Sequence, residues 1–343
     1  MKTNGKTGSS IILLLLLVLP LTSAACDICG AFIGITPYDN QSSIQLLNRY
    51  RSFNGYAIAN QHPELFPSGA WRLPAGAPAN PSVLHTTHGS GTQPVYNASD
   101  FEVFRSYELR LKYFIHRRIE INAFVPFNHN MSRTGDVKDE LHDLGDPTVF
   151  AAWHAIRRLE DVKFQQRLIV GIGSKIQFGR TALTNEKGER YHLMLQPGTG
   201  STDLFLYSSY TLGYKKMGVN LNAMGKINGT NKFNERIGNS IVTSLNVFAR
   251  LNAGSNVVVM PSLQSYYEYS KGIYVTDVLT EGTGMNVMMA GAGGEVVWKN
   301  FSMQLALHLP VHEHTESNNL SSAGRVVVGV TYNFNQNKYL LGN

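Results

Sequence analysis

Long stretches of the chain alternate between apolar and polar residues, a period-two pattern that predicts β-strands with two different faces. In residues 301–314 the odd positions up to Val311 are apolar, and the even positions include Gln304, His308 and His312. Periodicity typical of helices is almost absent after the leader. We identify about twelve such segments, many reaching the roughly ten residues that a tilted strand needs to cross a membrane. They lie at 45–57, 101–116, 118–128, 146–156, 164–178, 202–214, 216–228, 237–251, 256–268, 285–298, 301–314 and 324–334.

The connections between these segments alternate between short and long. The short ones lie around Arg117 and at 157–162, 214–216, 252–255 and 298–300. The longer ones lie at 58–100, 131–144, 179–201, 229–236, 270–284 and 314–323. Outer-membrane barrels combine short periplasmic turns with long outer loops, whereas a β-sandwich has no reason to sort its loops in this way. The sequence therefore predicts an all-β fold, a transmembrane antiparallel up-and-down β-barrel of about twelve strands with long outer loops.

The first residues have the three parts of a secretory signal peptide. Lys2 and Lys6 supply the positive charge, an apolar run covers 11–21, and small residues at 23–25 suit a signal peptidase. The run is too short for a membrane helix of about 20 residues. We therefore expect export to the bacterial outer membrane. The chain divides into a signal peptide at 1–25, a periplasmic segment at 26–44, a barrel at 45–334 with an extracellular cap loop at 58–100, and a tail at 335–343.

The composition is consistent with a barrel in lipid. Charged residues make up only 16% of the chain, and its 32 glycines, 16 tyrosines and 16 phenylalanines are abundant. The net charge of +6 comes from scattered basic residues without a basic block, so nucleic acid is not an expected partner. The expected partners are outer-membrane lipids and a small solute that the sequence does not identify. The segment 324–334 resembles the closing strand that barrel-assembly machinery binds, and this machinery is a further expected partner.

Two strand openings, LGDPTVFAAWH at 144–154 and PGTGSTDLFLYSSY at 197–210, resemble those of a family of outer-membrane transporter-like barrels. The namesakes of that family are linked to the meta-pathway of phenol degradation, and relatives from Bacteroidota often begin with Cys-Asp-x-Cys-Gly-Cys. Here CDICGA occupies 26–31, so that Ala31 replaces the third cysteine. The resemblance implies an outer-membrane barrel that transports or binds a solute.

Asp146 and Asp203 begin the strands of these two openings, and by parity both face the lumen. One interpretation is an acidic pair at the outer mouth that filters or binds a solute. The other is that aspartates here end loops and accept hydrogen bonds from free backbone N–H groups.

Further charged residues share the lumen parity and are candidates for a selectivity ring or for ion pairs that fill the barrel. We expect a narrow or partly plugged passage with a slight preference for anions. The candidates are Arg110, Lys112, Arg167, Lys175, Arg250 and Glu108.

A weaker hypothesis is a metal site, which would be the only cofactor. His308, His312 and His314 share one predicted face, and Met285 and Met289 lie on the preceding strand with lumen parity. His312 and His314 lie about 7 Å apart by backbone rise. They form at most a two-histidine half-site, for which the methionines would favour a soft metal such as copper. The alternative is polar lining of the lumen.

Cys26 and Cys29 are the only two cysteines in the chain. An oxidising periplasm favours a short disulfide between them. A metal half-site and a lipid anchor are the alternatives, although Ser23 occupies the position where a lipobox has leucine. In the loop, His85 and His88 could similarly chelate a metal or simply belong to a surface cap.

Enzymatic motifs are not found. GIGSK at 171–175 lacks the spacing of a nucleophile elbow, and GTGST at 198–202 lacks the lysine and helix of a phosphate loop. We therefore expect a channel or transporter-like barrel rather than an enzyme. The alternative function is a non-conducting barrel that serves as a structural or adhesion scaffold, or that binds metal.

Overall fold

The computed structural model describes residues 41–56, 99–159, 163–254, 256–280, 283–315 and 320–335. All strands and turns discussed below belong to these ranges. Within them, no helix is long and apolar enough to span a membrane. The predicted signal peptide, Cys26, Cys29, His85, His88, most of the 58–100 loop and the tail from 336 lie outside the described residues.

Twelve long strands form a closed antiparallel barrel, which confirms the predicted fold. They are β1 (Gln41–Tyr56), β2 (Phe101–His116), β3 (Ile119–Thr134), β5 (Thr148–Arg158), β6 (Phe164–Lys175), β7 (Asp203–Tyr214), β8 (Met217–Ile227), β10 (Ser240–Ala249), β12 (Val257–Ser270), β15 (Met285–Trp298), β16 (Phe301–Thr315) and β17 (Leu320–Asn335). Five shorter strands lie between them: β4 (Val137–Leu144), β9 (Glu235–Ile237), β11 (Leu251–Asn252), β13 (Ile273–Val275) and β14 (Val278–Leu279).

Each barrel strand pairs with the next one along the chain, and the first strand pairs with the last. In that closing pair, Gln41 lies opposite Asn335 and Arg51 opposite Arg325. The ring is continuous through the pairing of β10 with β12. Closure gives each of the twelve barrel strands a partner on both sides, as a hydrocarbon environment requires.

The alternation of the sequence places one set of side chains inside and the other outside. Arg51 of β1 reaches Glu268 of β12 across 3.0 Å, although these strands are not neighbours, so both side chains point into the interior. The opposite face carries exposed apolar side chains such as Leu46, Leu109 and Leu263. Aromatic residues surround the end of the barrel that has the short turns, as in membrane barrels. They are Tyr113, Trp153, Phe164, Tyr214, Trp298, Phe301 and Tyr332.

Several predicted loops are partly strand. The segment 131–144 forms the end of β3 and the whole of β4, which continue as a hairpin beyond the barrel wall. Both faces of this hairpin carry polar residues, so its sequence lacks the alternation of a strand between lipid and lumen. The segment 314–323 is shorter than predicted, because β16 reaches Thr315 and β17 begins at Leu320.

A β-bulge in β16 changes the face on which its last residues lie. Met289 pairs with Pro310, but Met288 pairs with His312, so Val311 has no residue opposite it. One extra residue in a period-two strand moves all following side chains to the other face. The predicted alternation therefore holds up to Leu309 and is inverted at His312, which is exposed.

The packing inside the barrel predicts that any side chain larger than hydrogen at Gly173 of β6 destabilises the protein. A Cβ there would lie 2.6 Å from both the Phe205 ring and the Val149 carbonyl oxygen. Gly173→Val should lower the free energy of unfolding in urea by about 1–3 kcal/mol through overpacking.

Gly225→Val is the matched control, because a Cβ at Gly225 has no atom within 4 Å. Equal unfolding free energies for the two variants, measured after refolding into vesicles, would contradict the packing described here.

Candidate functional site: the barrel lumen and its outer cap

The loop 176–202 covers the outer mouth of the barrel. Leu193, Leu195 and Gln196 of this loop are buried. Two lumen-facing side chains of β3 bind its backbone: the Asn128 amide donates to the carbonyl of Pro197 at 2.7 Å, and the Asn130 amide to that of Leu195 at 3.0 Å. The loop is therefore attached to the inside of the wall. From here on, "the cap" means residues 176–202, and not the predicted cap loop at 58–100.

An ion pair ties the cap to the neighbouring loop. The Arg190 guanidinium donates to both carboxylate oxygens of Glu235, at 2.8 and 2.6 Å, and lies 3.8 Å from the centre of the Phe233 ring. The Asn231 amide also donates to the carbonyl of Thr199 at 3.1 Å. Burial raises the pKa of Glu235, but Arg190 and Asn231 lower it further, so the net shift is downward. The carboxylate is therefore ionised at neutral pH and holds the cap in place.

Beneath the cap, two acidic and two basic side chains meet at the lumen wall. Asp203 accepts from Lys175 at 2.7 Å and from Lys226 at 3.0 Å, and Asp146 lies 3.3 Å from Lys175. Asp203 also accepts the backbone N–H of Gly229 at 3.1 Å. All four charged side chains are at most 10% exposed. The group carries no net charge, and we refer to it as the mouth cluster.

Asp146 holds the cap through the backbone. Its carboxylate accepts the N–H groups of Phe178 at 3.0 Å, Gly179 at 2.8 Å and Thr199 at 2.8 Å. Burial raises the pKa of Asp146, but Lys175 and these N–H groups lower it further, so the pKa lies below its usual range. Contacts of this kind are expected of an aspartate that ends a loop and accepts hydrogen bonds from free backbone N–H groups, which is the second interpretation given above. A filtering role for Asp146 and Asp203 remains a prediction.

The middle of the lumen is crowded by ion pairs. Glu108 accepts from Arg110 at 2.7 Å and is also paired with Arg49. Arg110 in turn lies over the Phe124 ring, 4.4 Å from its centre. On the opposite wall, Glu268 accepts from Arg51 at 3.0 Å. Three arginines and two glutamates, in direct contact with one another, thus fill the lumen at this level.

An apolar cluster occupies the same level of the lumen. Phe150 packs edge-on against Phe124 and Phe205, with ring centres 5.3 and 5.6 Å apart. Tyr207 and Met289 belong to the same buried cluster. Together with the ion pairs, these rings narrow the passage.

Two cavities remain, one on each side of this constriction. The cavity beneath the cap measures about 140 Å³ and includes Asp146, Lys175 and Lys226 of the mouth cluster in its lining. The other cavity, nearer the short turns, measures about 80 Å³ and is lined by Arg110, Lys112, Arg167, Glu120 and Glu295, among others. Phe124 lines both cavities. This ring therefore lies between the two cavities.

The structure places most of the predicted lumen residues as expected from parity, with Arg250 as an exception. The predicted strand 237–251 ends at Ala249, and Arg250 is exposed in the turn that follows. Its backbone N–H donates to the Lys216 carbonyl at 2.6 Å. The prediction that Arg250 lines the lumen was wrong, because strand parity does not show where a strand gives way to a turn.

The predicted metal residues are not brought together. His308 is buried in the lumen, where its ring lies 2.8 Å from the Gln264 amide oxygen. The bulge at Val311 places His312 on the outer surface, so His308 and His312 do not share a face. Met289 is buried, and Met285 accepts from Arg51 at 2.8 Å. The His314 side chain lies outside the described residues. Among the described residues, no group of three or more His, Cys, Asp or Glu residues is arranged to hold a metal ion.

Sequence reasoning missed Arg49 and Arg51 of β1. Leu47 precedes them on the same face and is buried in an apolar cluster, so the parity of β1 is ambiguous in the sequence. The sequence nevertheless contained a signal for their position. Arg49 and Arg51 are two residues apart and so share a face of the strand, and charged side chains in a membrane barrel favour the interior. The inward packing of the cap had no comparable signal.

The comparisons with known proteins support the fold. No protein-family model matches the chain. No curated protein matches it either. Among solved structures, an outer membrane channel from Pseudomonas putida F1 is similar with a TM-score of 0.61 and 13% identity, covering 88% of this chain and 100% of the other.

Two autotransporter barrels are also similar at lower scores. The beta domain of a Bordetella autotransporter has a TM-score of 0.42 and 9% identity, covering 86% of this chain and 100% of its own. The transport unit of the autotransporter AIDA-I from Escherichia coli has a TM-score of 0.43 and 10% identity, covering 88% of this chain and 93% of its own. The first comparison shows that the chain shares the barrel fold of an outer-membrane protein.

We expect the ion pair between Arg190 and Glu235 to stabilise the closed position of the cap. Glu235→Gln should weaken the cap by about 1–2 kcal/mol, because a hydrogen-bonded charge pair becomes a charge–amide contact. Local opening, measured as trypsin cleavage after Arg190, should become roughly five- to thirtyfold faster.

Asp277→Asn, an exposed substitution in the adjacent loop, is the matched control and should leave the rate unchanged. Unaltered cleavage of the Glu235→Gln protein would show that the ion pair does not hold the cap.

Proposed function

We propose that the protein is an outer-membrane channel for a small solute, closed at rest by the cap and by the constriction at Phe124. The observation that supports this most directly is the pair of cavities, each lined by charged and apolar side chains, with the Phe124 ring between them. A barrel with a purely structural role has no need for two lined cavities along its lumen. The outer-membrane location rests on the predicted signal peptide and on the exposed apolar surface of the barrel.

The resemblance of the two strand openings to the phenol meta-pathway barrels suggests the same transporter-like class for this chain. The cavity beneath the cap combines charged groups with apolar ones, among them Phe205, Met224 and Leu193. Such a lining suits a small solute with both polar and apolar parts. Insertion would use the barrel-assembly machinery, for which the last strand is the expected signal.

The filled middle of the lumen favours a second function, that of a non-conducting barrel that acts as a scaffold. The ion pairs and the packed aromatic rings can stabilise the barrel wall while they fill the lumen and leave no passage. Conductance distinguishes the two functions, because a scaffold stays silent even when the barrier is thinned.

Thinning the barrier at Phe124 is the direct test of the channel. Phe124→Ala removes the ring shared by the two cavities and should produce conductance steps in planar bilayers, larger or more frequent than those of the wild type. Shortening the cap in addition should increase them further.

Phe127→Ala is the matched control, because Phe127 lies on the same strand but is 40% exposed on the outer surface. Silence of the Phe124→Ala protein with a shortened cap, when heat-modifiable mobility shows that it is folded, would favour the scaffold.

The charged residues that line the cavity nearer the short turns predict which ions the channel prefers. Three cationic groups, Arg110, Lys112 and Arg167, face two anionic ones, Glu120 and Glu295, so the conducting variant should prefer anions slightly. In the Phe124→Ala background, Arg167→Gln should shift the reversal potential toward cations.

Arg250→Gln should have little effect on that potential, because Arg250 is exposed beyond the end of β10. A cation preference of the conducting protein would contradict the expected selectivity.

A further inference from the structure

The outer face of β2, β3 and β4 changes abruptly from apolar to basic. Tyr107, Phe127 and Leu144 lie opposite one another across the three strands. All three are exposed on the surface that faces lipid, at 43%, 40% and 40%. They mark an apolar row at the edge of the hydrocarbon region, with aromatic rings at the height that membrane barrels favour.

The next outward-facing row carries polar and basic groups. Arg105, His129 and His142 again lie opposite one another across the same strands. The Arg105 guanidinium lies 5.1 Å from the centre of the Tyr107 ring, and the rings of the two histidines are 6.1 Å apart. Because neighbouring strands are about 4.8 Å apart, this row is roughly 10 Å wide.

Beyond this row, the outward-facing strand residues of the hairpin add two further cations and one anion. Arg133 and Lys138 lie opposite each other near the tip of the hairpin. Glu140 accepts from His129 at 2.8 Å and from Lys138 at 3.2 Å. The patch formed by Arg105, His129, Arg133, Lys138, Glu140 and His142 therefore has a net positive charge even with both histidines neutral. We refer to it as the basic rim.

At the outer ends of three strands elsewhere on the barrel, the outward-facing residues are apolar. Leu204, Ile227 and Ile241 lie at the outer ends of β7, β8 and β10 and are exposed at 57%, 64% and 44%. Among these described strand ends, the charges of the basic rim are thus a local feature. A general need for solubility outside the membrane would place polar residues on these strands as well.

We propose that the basic rim binds the phosphate groups of an outer-leaflet lipid headgroup, with the acyl chains against Tyr107, Phe127 and Leu144. The proposal rests on the outer-membrane location proposed above, but not on conductance. Arginine and lysine at this height meet anionic headgroups, and guanidinium groups donate two parallel hydrogen bonds to phosphate. The apolar row directly below provides the surface that the acyl chains of the same lipid require.

Glu140 gives the proposal a directional test. In the absence of lipid its carboxylate occupies His129 and Lys138, two of the groups that would face a phosphate. Removing this negative charge should therefore strengthen lipid binding, while removing cations should weaken it. A rim with a merely structural role would lose stability in both cases.

The experiment measures the midpoint of heat-modifiable unfolding in phosphatidylcholine vesicles that contain increasing amounts of bisphosphorylated lipid A. The wild-type midpoint should rise with lipid A. An electrostatic contribution of about 1 kcal/mol per cation corresponds to about fivefold in affinity. The half-saturating lipid A concentration should therefore increase about thirtyfold in the Arg105→Gln, Lys138→Gln double variant and decrease in Glu140→Gln.

Three controls identify the source of the effect. Lys187→Gln changes an exposed cation of the cap and should behave as the wild type. Dephosphorylated lipid A should not raise the midpoint, which assigns the effect to the phosphates. Inorganic phosphate in solution should not raise it either, which assigns the effect to a lipid.

Equal responses of the wild type and the double variant to lipid A would overturn the proposal. An equal rise with dephosphorylated lipid A would overturn it as well. Because the readout is lipid-dependent stability, it is independent of whether the barrel conducts, and the two proposals fail separately.

Discussion

The fold depends on the requirement that every backbone N–H and C=O group in hydrocarbon finds a partner within the protein. The pairing of β1 with β17 and of β10 with β12 meets this requirement by closing the sheet. Closure has a second consequence, since it separates two environments with opposite demands. The outer faces of the strands must be apolar for lipid, and the inner faces are free to carry the charges that define the lumen.

Charges inside a narrow barrel lose much of their hydration, so contact with an opposite charge stabilises them. Asp146 and Asp203 together balance Lys175 and Lys226, and Glu108 contacts both Arg49 and Arg110. The cap is attached differently from the wall, by side-chain hydrogen bonds and an ion pair rather than by a continuous strand ladder. We therefore expect the cap to open locally at a lower free-energy cost than the strand ladder of the wall. This difference in stability is what a channel that is closed at rest needs.

The sequence predicted the strand number, the order of long and short connections and the lumen face of most charged residues, because a period of two directly reports which face meets lipid. It failed where a local departure from that period decides the outcome. The extra residue Val311 inverts the end of β16 and separates His312 from His308. Arg250 lies beyond a strand end that parity does not reveal. The inward fold of the cap depends on contacts such as Asn130 with Leu195, between distant segments, which no local pattern encodes.

The central claim is that the cap closes the outer mouth above a lined cavity, and chemical access to that cavity measures it most directly. Ser106 is buried in the lining of this cavity, and Ser106→Cys can be introduced after both native cysteines are replaced by serine. A membrane-impermeant thiol reagent added from the outer side should react slowly with the protein that has the full cap. It should react much faster when residues 176–202 are replaced by a short linker. Equally fast reaction of both proteins would contradict closure by the cap.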